Sequence, residues 1–414
     1  MRTLLKNPDQ IVTVNTNGKN EKRKGELSDL EVLTDHSILI EDDKIIDFIP
    51  NNSLPKIQAE KSIDLKNKII LPGLVECHTH TAFAGSRSDE FRQKLAGIHY
   101  EDIAKQGGGI LKTVNAVRDT PLHLLVEIIR PRVEEFIRQG VTTLEIKSGY
   151  GLNFDSEVKL LNAIKIIDEL YAIDIIPTFL GAHTYPPDSI EDHQAYIDEI
   201  TSVMLPYIAK NKLAQYCDAF CETTAFSSTE ADIIFTKANE LGLKPKLHTD
   251  QFNTIGGIDT AIKQKAVSVD HLEVISDSDI SKLSGQDIVC VLLPGVSFFL
   301  NHKYAPARKL IDSGALVALS TDYNPGSSHI INLNLIMSLA ALKMGMTIEE
   351  TISAVTINAA KSVNRNNTAG SIEIGKDADF AVFNTSEYSD IIYNVGRNLN
   401  CMTIKRGIVV YHSG

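Results

Sequence analysis

Residues 72–80 read Pro-Gly-Leu-Val-Glu-Cys-His-Thr-His, a short apolar run that ends in two histidines separated by one residue. In an extended strand, side chains two residues apart point to the same face, so His78 and His80 would project together. Neutral imidazole is a common nitrogen ligand for zinc and ferrous iron. A histidine pair by itself is more often an ordinary core or surface feature. The stretch predicts half of a metal site, and the rest of the chain must supply the other half.

The composition is that of a large, acidic protein with a substantial core. The chain has 414 residues, of which 43% are hydrophobic, and its formal net charge is −12. This charge disfavours nucleic acid and anionic membranes as partners. The five cysteines are scattered and lie mostly in apolar runs, which favours reduced core residues over a disulfide framework. No stretch resembles a signal peptide or a membrane span, so we expect a cytoplasmic protein that acts on a small-molecule substrate.

Strand-like and helix-like segments alternate through the middle of the chain, which is typical of a parallel sheet covered by helices. Eight strands are predicted, near residues 74–80, 141–147, 174–182, 216–222, 244–249, 266–271, 288–293 and 315–322. Eight strand–helix units favour a closed TIM-like β/α barrel over an open α/β sheet, and no dinucleotide-binding Gly-x-Gly-x-x-Gly motif follows an early strand. Short strands at both ends predict a small β-sandwich domain from 1–66 plus 370–414, beside a barrel domain at 67–369.

In barrels of this kind the active site lies at the carboxyl ends of the strands. Polar side chains occupy most of these positions, and the candidate ligands among them are His78, His80, His183, Glu222, His248, His271 and Asp322. The whole chain contains only 12 histidines, so five at strand ends are unexpected by chance. Three imidazoles and one carboxylate, from His78, His80, His248 and Asp322, would suit one catalytic divalent metal with a position left for water.

The same residues predict a hydrolytic mechanism at a single metal. No lysine ends the fourth strand, so no carboxylated lysine would bridge a second metal. His271 then need not be a ligand and could bind the water or polarise a substrate oxygen. A metal-activated water would attack a carbonyl or amide-like carbon, while Asp322 takes up its proton and passes it to the leaving nitrogen.

Two loops extend the predicted site. Arg87 lies seven residues beyond His80 and would bind a substrate carboxylate, although a lone loop arginine is more often simply solvated. The segment that continues to Thr120 is long for a barrel loop and should cover the pocket. After the eighth strand, residues 320–328 offer hydroxyl, amide and backbone N–H donors for a second anion or polar group, or form a simple Asn-Pro-Gly turn.

The sequence resembles the amidohydrolase superfamily through its opening at 72–80 and its Gly-Lys-Asp-Ala-Asp-Phe ending at 375–380. It is more specifically similar to the imidazolonepropionase family in five segments, HTHTAFAGSR (78–87), EIKSGYGL (145–152), FLGAH (179–183), HTDQ (248–251) and STDYNPG (320–326). That resemblance implies hydrolysis of 4-imidazolone-5-propanoate to N-formimidoyl-L-glutamate in histidine degradation, with one zinc or iron ion per chain. It implies the metal ligands His78, His80, His248 and Asp322. It also implies contacts with the substrate or product from Arg87, Tyr150, His183, Gln251, Asn324, Gly326 and Ser327.

This chain departs from the family pattern at the general base. Some members are thought to use a glutamate where this chain has Gln251, and an amide cannot accept a proton at neutral pH. We therefore assign proton transfer to Asp322 with His271, and orientation of the ring to Gln251. The metal or His183 would act as the electrophile at the ring carbonyl.

Two other interpretations remain open at this point. A ring deaminase or a hydantoin-type cyclic amidase would use the same barrel and metal but would have less use for Arg87. A catalytically inactive barrel that serves as a scaffold or binding module is a different class, and the intact set of ligand residues argues against it. Many relatives are dimers, so a homodimer is the expected assembly.

Overall fold

The structure, a computed structural model, describes residues 1–97, 108–189 and 192–413. Its strands are β1 Arg2–Lys6, β2 Gln10–Val12, β3 Val32–Leu33, β4 His36–Glu41, β5 Lys44–Pro50, β6 Lys61–Asp64, β7 Ile69–Pro72, β8 Leu74–Glu76, β9 Val141–Lys147, β10 Asp174–Ala182, β11 Tyr216–Cys221, β12 Lys244–Thr249, β13 Ser268–His271, β14 Val289–Leu292, β15 Leu316–Leu319, β16 Phe380–Phe383, β17 Asn400–Lys405 and β18 Ile408–His412. Its α-helices are α1 Ser88–Leu95, α2 Ile110–Asp119, α3 Leu122–Arg138, α4 Phe154–Leu170, α5 His193–Glu199, α6 Leu205–Lys210, α7 Ser228–Glu240, α8 Gly257–Gln264, α9 Asp277–Leu283, α10 Pro294–Leu300, α11 Ala307–Ser313, α12 Leu333–Met344, α13 Ile348–Ala354, α14 Ile357–Ser362 and α15 Ser389–Tyr393.

The central sheet is the eight-stranded parallel sheet of a TIM-like barrel. Strands β8 to β15 follow one another across it in chain order. Its two ends meet just beyond the regular strands, where the His80 amide donates to the Tyr323 carbonyl (3.0 Å) and the Asp322 amide donates to the His78 carbonyl (3.1 Å). The predicted barrel is therefore confirmed, and each of the predicted strands is present. The first strand is shorter than expected, because regular pairing ends at Glu76, before the two histidines.

The sequence predicts the last helices at 337–343 and 348–361, and the structure differs at both. The predicted helix near 348–361 is divided into α13 and α14, because the Val355 carbonyl accepts a hydrogen bond from the Val75 amide of β8 instead of continuing the helix. The preceding helix α12 begins four residues earlier than the predicted 337–343, since the Asn332 side chain accepts from the Leu335 amide (2.9 Å) and caps its first turn. Both differences arise from contacts that an apolar pattern does not encode.

The terminal segments form two further sheets that share an apolar core. The four-stranded sheet has the order β5-β4-β1-β6 and comes from the N-terminal segment alone, whereas the six-stranded sheet β18-β17-β16-β7-β2-β3 combines both ends of the chain. The sequence also predicts a hairpin from 37–40 and 44–49, and it is present as β4 and β5. Buried side chains from both sheets form one cluster that includes Leu5, Ile38, Ile40, Ile70, Phe380, Val382 and Ile404. The two sheets therefore pack as the faces of a sandwich.

One short segment belongs to both the terminal sheets and the barrel. Strand β7 pairs with β16 and β2, and only Gly73 separates it from β8. A Cβ atom at Gly73 would lie 2.2 Å from Oγ1 of Thr142 in β9, so the close approach of the chain at residue 73 to β9 requires glycine. The domain division between residues 66 and 67 stays a prediction.

The segment after the first strand is described in two parts. Helices α1 and α2 belong to it, while residues 98–107 lie outside the described ranges. The segment predicted to cover the pocket therefore includes residues that the structure does not describe. Among the helices of the described ranges, none combines the length and the apolar character needed to cross a membrane.

Candidate active site

The strand ends surround one cavity of about 680 Å³. It is lined by all of the predicted substrate contacts, Arg87, Tyr150, His183, Gln251, Asn324, Gly326 and Ser327. His80, His248, His271 and Asp322 line it as well, and His78 is fully buried beside them. The barrel thus brings together residues separated by up to 249 positions, from His78 to Ser327, as expected for side chains at strand ends.

Four nitrogen and oxygen atoms converge in this cavity. Oδ1 of Asp322 lies 3.3 Å from Nε2 of His78 and 3.3 Å from Nε2 of His80. Nε2 of His248 lies 3.3 Å from Nε2 of His80. His78, His80 and Asp322 therefore lie close enough together to share an ion, and His248 approaches His80 through the same ring nitrogen.

The chemistry and spacing of these atoms fit a divalent metal. As edges of a tetrahedron, the three separations of 3.3 Å would correspond to a centre-to-corner distance of about 2.0 Å, the usual length of a zinc–nitrogen bond. Nε2 of His78 and Oδ1 of Asp322 are buried, and neither has a hydrogen-bond partner among the described residues. Buried polar atoms without partners are costly, and a cation bound by both would remove that cost. The cluster can therefore hold one metal ion.

The other ring nitrogens of two of these histidines bind buried carboxylates. Nδ1 of His78 lies 2.6 Å from Oδ2 of Asp270, and Nδ1 of His248 lies 3.1 Å from Oδ1 of Asp218. A carboxylate can only accept here, so each Nδ1 carries a proton, which leaves Nε2 as the atom that would bind a metal. These aspartates were not among the candidate residues predicted from the sequence. The available signal was an aspartate inside each of two predicted strands, β11 and β13.

Electrostatics in the cluster favour a cation. Burial raises the pKa of Asp322, but the neighbouring His78 and His80 rings outweigh it and hold the pKa well below its usual range. Burial and Lys147 lower the pKa of His78, yet Asp270 and Asp322 raise it to about 9. Burial lowers the pKa of His248 to about 3. An ionised Asp322 beside a neutral His248 suits metal binding, and a metal at His78 would replace the proton that its two carboxylate neighbours attract.

Arg87 is oriented by an acidic neighbour on helix α1. Its Nε donates to Oε2 of Glu90 (2.9 Å), which also accepts from the Gly109 amide (3.2 Å). The guanidinium lies against Gly326 of the loop after β15, where any side chain would collide with it. Glu90 and Gly326 thereby place the arginine at the cavity wall, in agreement with its predicted location.

His183 has a defined hydrogen-bonding direction. Its Nδ1 lies 2.9 Å from the Gly149 carbonyl, which can only accept, so the proton is on Nδ1. Burial lowers the pKa of His183 well below its usual value, so the ring is neutral and its Nε2 is an acceptor. The ring stacks on His80 with centroids 5.1 Å apart and lies 5.3 Å from Tyr150. This arrangement favours acceptance of a substrate N–H over polarisation of a carbonyl.

The loop after β15 is held by Asn324. Its Oδ1 accepts from the amides of Gly326 (2.8 Å) and Ser327 (2.7 Å), and its Nδ2 donates to Oδ2 of Asp322 (3.0 Å). Asp322 itself adopts a left-handed φ of 49°, a strained conformation for a residue with a side chain. The Asn324 side chain therefore couples the loop to the carboxylate of the metal cluster. Its direct contact with a substrate stays a prediction.

The fourth and sixth strand ends, after β11 and β13, carry two further groups. Glu222 accepts hydrogen bonds from the amides of Phe252 (2.9 Å) and Asn253 (3.0 Å), which fixes the loop that bears Gln251. Nδ1 of His271 lies 3.4 Å from Oε1 of Glu273, and His271 has a φ of 86°. Sequence reasoning did not single out Glu273, which is buried next to the cavity.

Comparisons with known proteins agree with this site. The chain matches the amidohydrolase family over residues 69–410. It is 42% identical to an imidazolonepropionase of Flavobacterium johnsoniae over 96% of this chain and 97% of that protein. It is 40% identical to an imidazolonepropionase of a Geobacillus species over 100% and 99% of the two chains.

Solved structures share the fold at much lower identity. E. coli guanine deaminase superposes with a TM-score of 0.77, 15% identity and coverage of 100% of both chains. An adenosine deaminase from Xanthomonas campestris with bound zinc gives a TM-score of 0.74 at 15% identity, over 98% of this chain and 92% of that one. These distant structures show the fold alone, whereas the curated relatives extend over the full length at about 40% identity. The chain belongs to the imidazolonepropionase family of the amidohydrolases.

Proposed function

We propose that this chain hydrolyses 4-imidazolone-5-propanoate to N-formimidoyl-L-glutamate, a step of histidine degradation. The observation that carries the proposal is one cavity that contains both a metal-binding cluster and a positioned arginine, Arg87. A metal-dependent hydrolase needs the cluster, and a substrate with a propanoate arm needs the cation. The relatives that bear the imidazolonepropionase name match the whole chain, which supports the same substrate.

In this proposal the metal is held by His78, His80, His248 and Asp322. The donor set of three imidazoles and one carboxylate suits zinc or iron, and we infer one such ion per chain. When bound, the ion would supply Lewis-acid activation of a water molecule and of the ring carbonyl. A nitrogen atom of His271 lies within 4.8 Å of those of His78 and His248, but its hydrogen bond to Glu273 supports a role beside the ion.

The reaction adds the oxygen of water to the ring carbonyl carbon and breaks the bond between that carbon and a ring nitrogen. Asp322 accepts the proton that the water releases and returns it to the leaving nitrogen. The hydrogen bond from Asn324 to Oδ2 of Asp322 supports this role, since it holds the carboxylate against rotation during both transfers. His271 lines the same cavity and would assist the proton transfer.

The orientation of the substrate would depend on side chains that line the cavity around the metal cluster. Arg87 would bind the propanoate carboxylate through its terminal nitrogens, because Glu90 already occupies its Nε. His183 would accept a ring N–H at Nε2, which assigns carbonyl polarisation to the metal. Tyr150 and Gln251 line the cavity and would orient the ring, with Asn324, Gly326 and Ser327 on the opposite loop. A homodimer and a cytoplasmic location remain predictions.

The test is turnover of imidazolone propanoate by purified, metal-loaded protein. We expect loss of the imidazolone and formation of N-formimidoyl-L-glutamate, followed by mass spectrometry. Guanine, adenosine and a hydantoin that bears a propanoate arm should be poor substrates in parallel reactions. Absence of ring opening at every zinc and iron loading, or faster deamination of a purine, would remove the proposal.

A further inference from the structure

The interior of the barrel below the cavity contains charged side chains that the proposed reaction does not use. Each of them has 0% exposure, and they are Glu145, Lys147, Asp218, Lys246 and Asp270. Barrel interiors are usually filled by branched apolar side chains. Buried charges are costly unless they are paired, so a cluster of this size calls for a physical reason.

Two of these residues contact the metal cluster directly. Asp270 accepts from Nδ1 of His78, and Asp218 accepts from Nδ1 of His248. The position of each carboxylate therefore sets the orientation of one ligand ring. A carboxylate that could rotate would let the imidazole turn Nε2 away from the common centre.

Lys147 lies between the two carboxylates. Its Nζ donates to Oδ2 of Asp218 at 2.9 Å and lies 4.0 Å from Oδ2 of Asp270. Nζ also donates to Oε1 of Glu145 at 2.8 Å, and that oxygen accepts from Oγ1 of Thr178 at 2.6 Å. The ammonium is thus fixed by Glu145 and faces the carboxylate partners of two histidines on different strands.

Lys246 provides an internal comparison. It is equally buried, and its Nζ lies 3.5 Å from the same Oε1 of Glu145. Its hydrogen bonds, however, go to the backbone carbonyls of Cys77 (3.2 Å) and Ser362 (3.4 Å). Lys246 thus shares the burial and the Glu145 contact of Lys147, but its hydrogen bonds are made to backbone oxygens instead of to Asp218.

We propose that Lys147 is a positioning residue for the metal centre, which fixes Asp218 and Asp270 so that His248 and His78 present Nε2 to one ion. This inference deepens the proposed function and relies on the same metal site. Lys147 is fully buried and does not line the cavity, so it is not placed to contact a substrate. It acts through two carboxylates, and its removal should loosen both ligand rings together.

The experiment measures zinc binding in the absence of substrate. Zinc affinity of Lys147→Met, Lys246→Met and the unmodified protein would be determined by competition with a chromophoric chelator. The cobalt(II)-loaded proteins would be compared by visible absorption, which reports ligand geometry. We expect the zinc dissociation constant to rise about 10- to 100-fold in Lys147→Met, with an altered cobalt spectrum. In Lys246→Met it should stay within about threefold of the unmodified value, with an unaltered spectrum.

A charge-balanced variant distinguishes weaker zinc binding from a general loss of stability. Glu145→Gln with Lys147→Met removes one buried ammonium together with one buried carboxylate. We expect it to recover thermal stability relative to Lys147→Met while zinc binding stays weak. Zinc affinity within threefold of the unmodified protein in a folded Lys147 variant would overturn the inference, as would an equal loss in Lys246→Met.

The zinc-binding experiment can reject the role of Lys147 without rejecting the proposed function, and the activity assay can do the reverse. Lys147-dependent zinc binding in a chain that does not open the imidazolone ring would remove the proposed function and leave this inference standing. Ring opening together with unchanged zinc affinity in Lys147→Met would remove this inference alone.

Discussion

Gly326 leaves the space that the Arg87 guanidinium occupies, since a Cβ atom at position 326 would lie 2.2 Å from Nη1 of Arg87. The two residues come from loops at opposite ends of the barrel sheet, and neither position can change without affecting the other. The absence of a side chain on one loop thus allows the charged group of the other to reach the cavity.

Gly326→Ala should displace Arg87 and weaken binding of the propanoate arm. We expect KM to rise about tenfold, because one charge-assisted hydrogen bond contributes about 1.5–3 kcal/mol. The matched control is Gly25→Ala, since a Cβ at Gly25 meets nothing within 4 Å. Steady-state kinetics of both variants check the prediction, and an unchanged KM in Gly326→Ala would contradict it.

Arg87→Ala should raise KM for imidazolone propanoate about 10- to 100-fold, with a smaller effect on kcat. Glu90→Gln should have a weaker effect in the same direction, because it loosens the guanidinium without removing it. An analogue of the substrate without the propanoate arm is the control and should be turned over equally by all three proteins. If KM for the full substrate does not change in Arg87→Ala, the assignment of the carboxylate site is wrong.

Removal of the metal should destabilise the fold, because His78 and Asp322 then lose a partner for buried atoms. A metal present at 100 times its dissociation constant contributes about 2.7 kcal/mol to the free energy of unfolding. We expect treatment with a chelator to lower Tm and zinc to restore it. His248→Ala should lose this response and the metal-dependent rate, whereas His123→Ala, an exposed histidine on α3, should keep both. A full zinc response in His248→Ala would exclude it as a ligand.

His183→Asn tests the direction of the histidine hydrogen bond. The asparagine amide can still donate to the Gly149 carbonyl, as Nδ1 does now at 2.9 Å, but it lacks the acceptor at Nε2. We expect kcat/KM to fall about 10- to 100-fold, the cost of an unpaired substrate N–H, while metal content and Tm stay close to those of the unmodified protein. Activity equal to that of the unmodified protein would show that His183 makes no such contact.

Lys376 should give the fold a pH dependence at alkaline pH. Burial lowers its pKa to about 8 from an ordinary value of 10.5, so in that window the unfolded chain binds a proton that the folded chain does not. The free energy of unfolding contributed by this group therefore rises with pH between about 8 and 10.5. Urea unfolding at several pH values should show a smaller rise for Lys376→Met than for the unmodified protein. Lys165→Met, at an exposed position on α4, should behave like the unmodified protein.

Much of the architecture could be predicted because strand-like and helix-like segments alternate regularly and the strand ends carry polar residues. His248 and His271 were recognisable for this reason, although 22 residues separate them from one another in the chain. In a β/α barrel the carboxyl ends of all strands lie on one face, which brings such positions together. The ligand set thus needed only topology, whereas the substrate contacts were expected from the resemblance to the imidazolonepropionase family.

The supporting groups could not be predicted in this way. Asp218 and Asp270 lie inside strands, and their partners come from other strands, so only the barrel register reveals which histidine each one contacts. The contact of Arg132 with the Thr81 and Phe83 carbonyls, at 2.8 and 2.7 Å, likewise joins a helix to the loop after the first strand. Such contacts depend on three-dimensional distance, which a linear pattern of polar and apolar residues does not contain.

The junction at Gly73 bears on how this enzyme could be dissected. Because β7 continues almost directly into β8, a cut at that point would free the strand that precedes the first two histidines from the six-stranded sheet that holds β7 between β16 and β2. The barrel and the flanking sheets should therefore be kept together. A transfer of the barrel into another protein should include both chain ends.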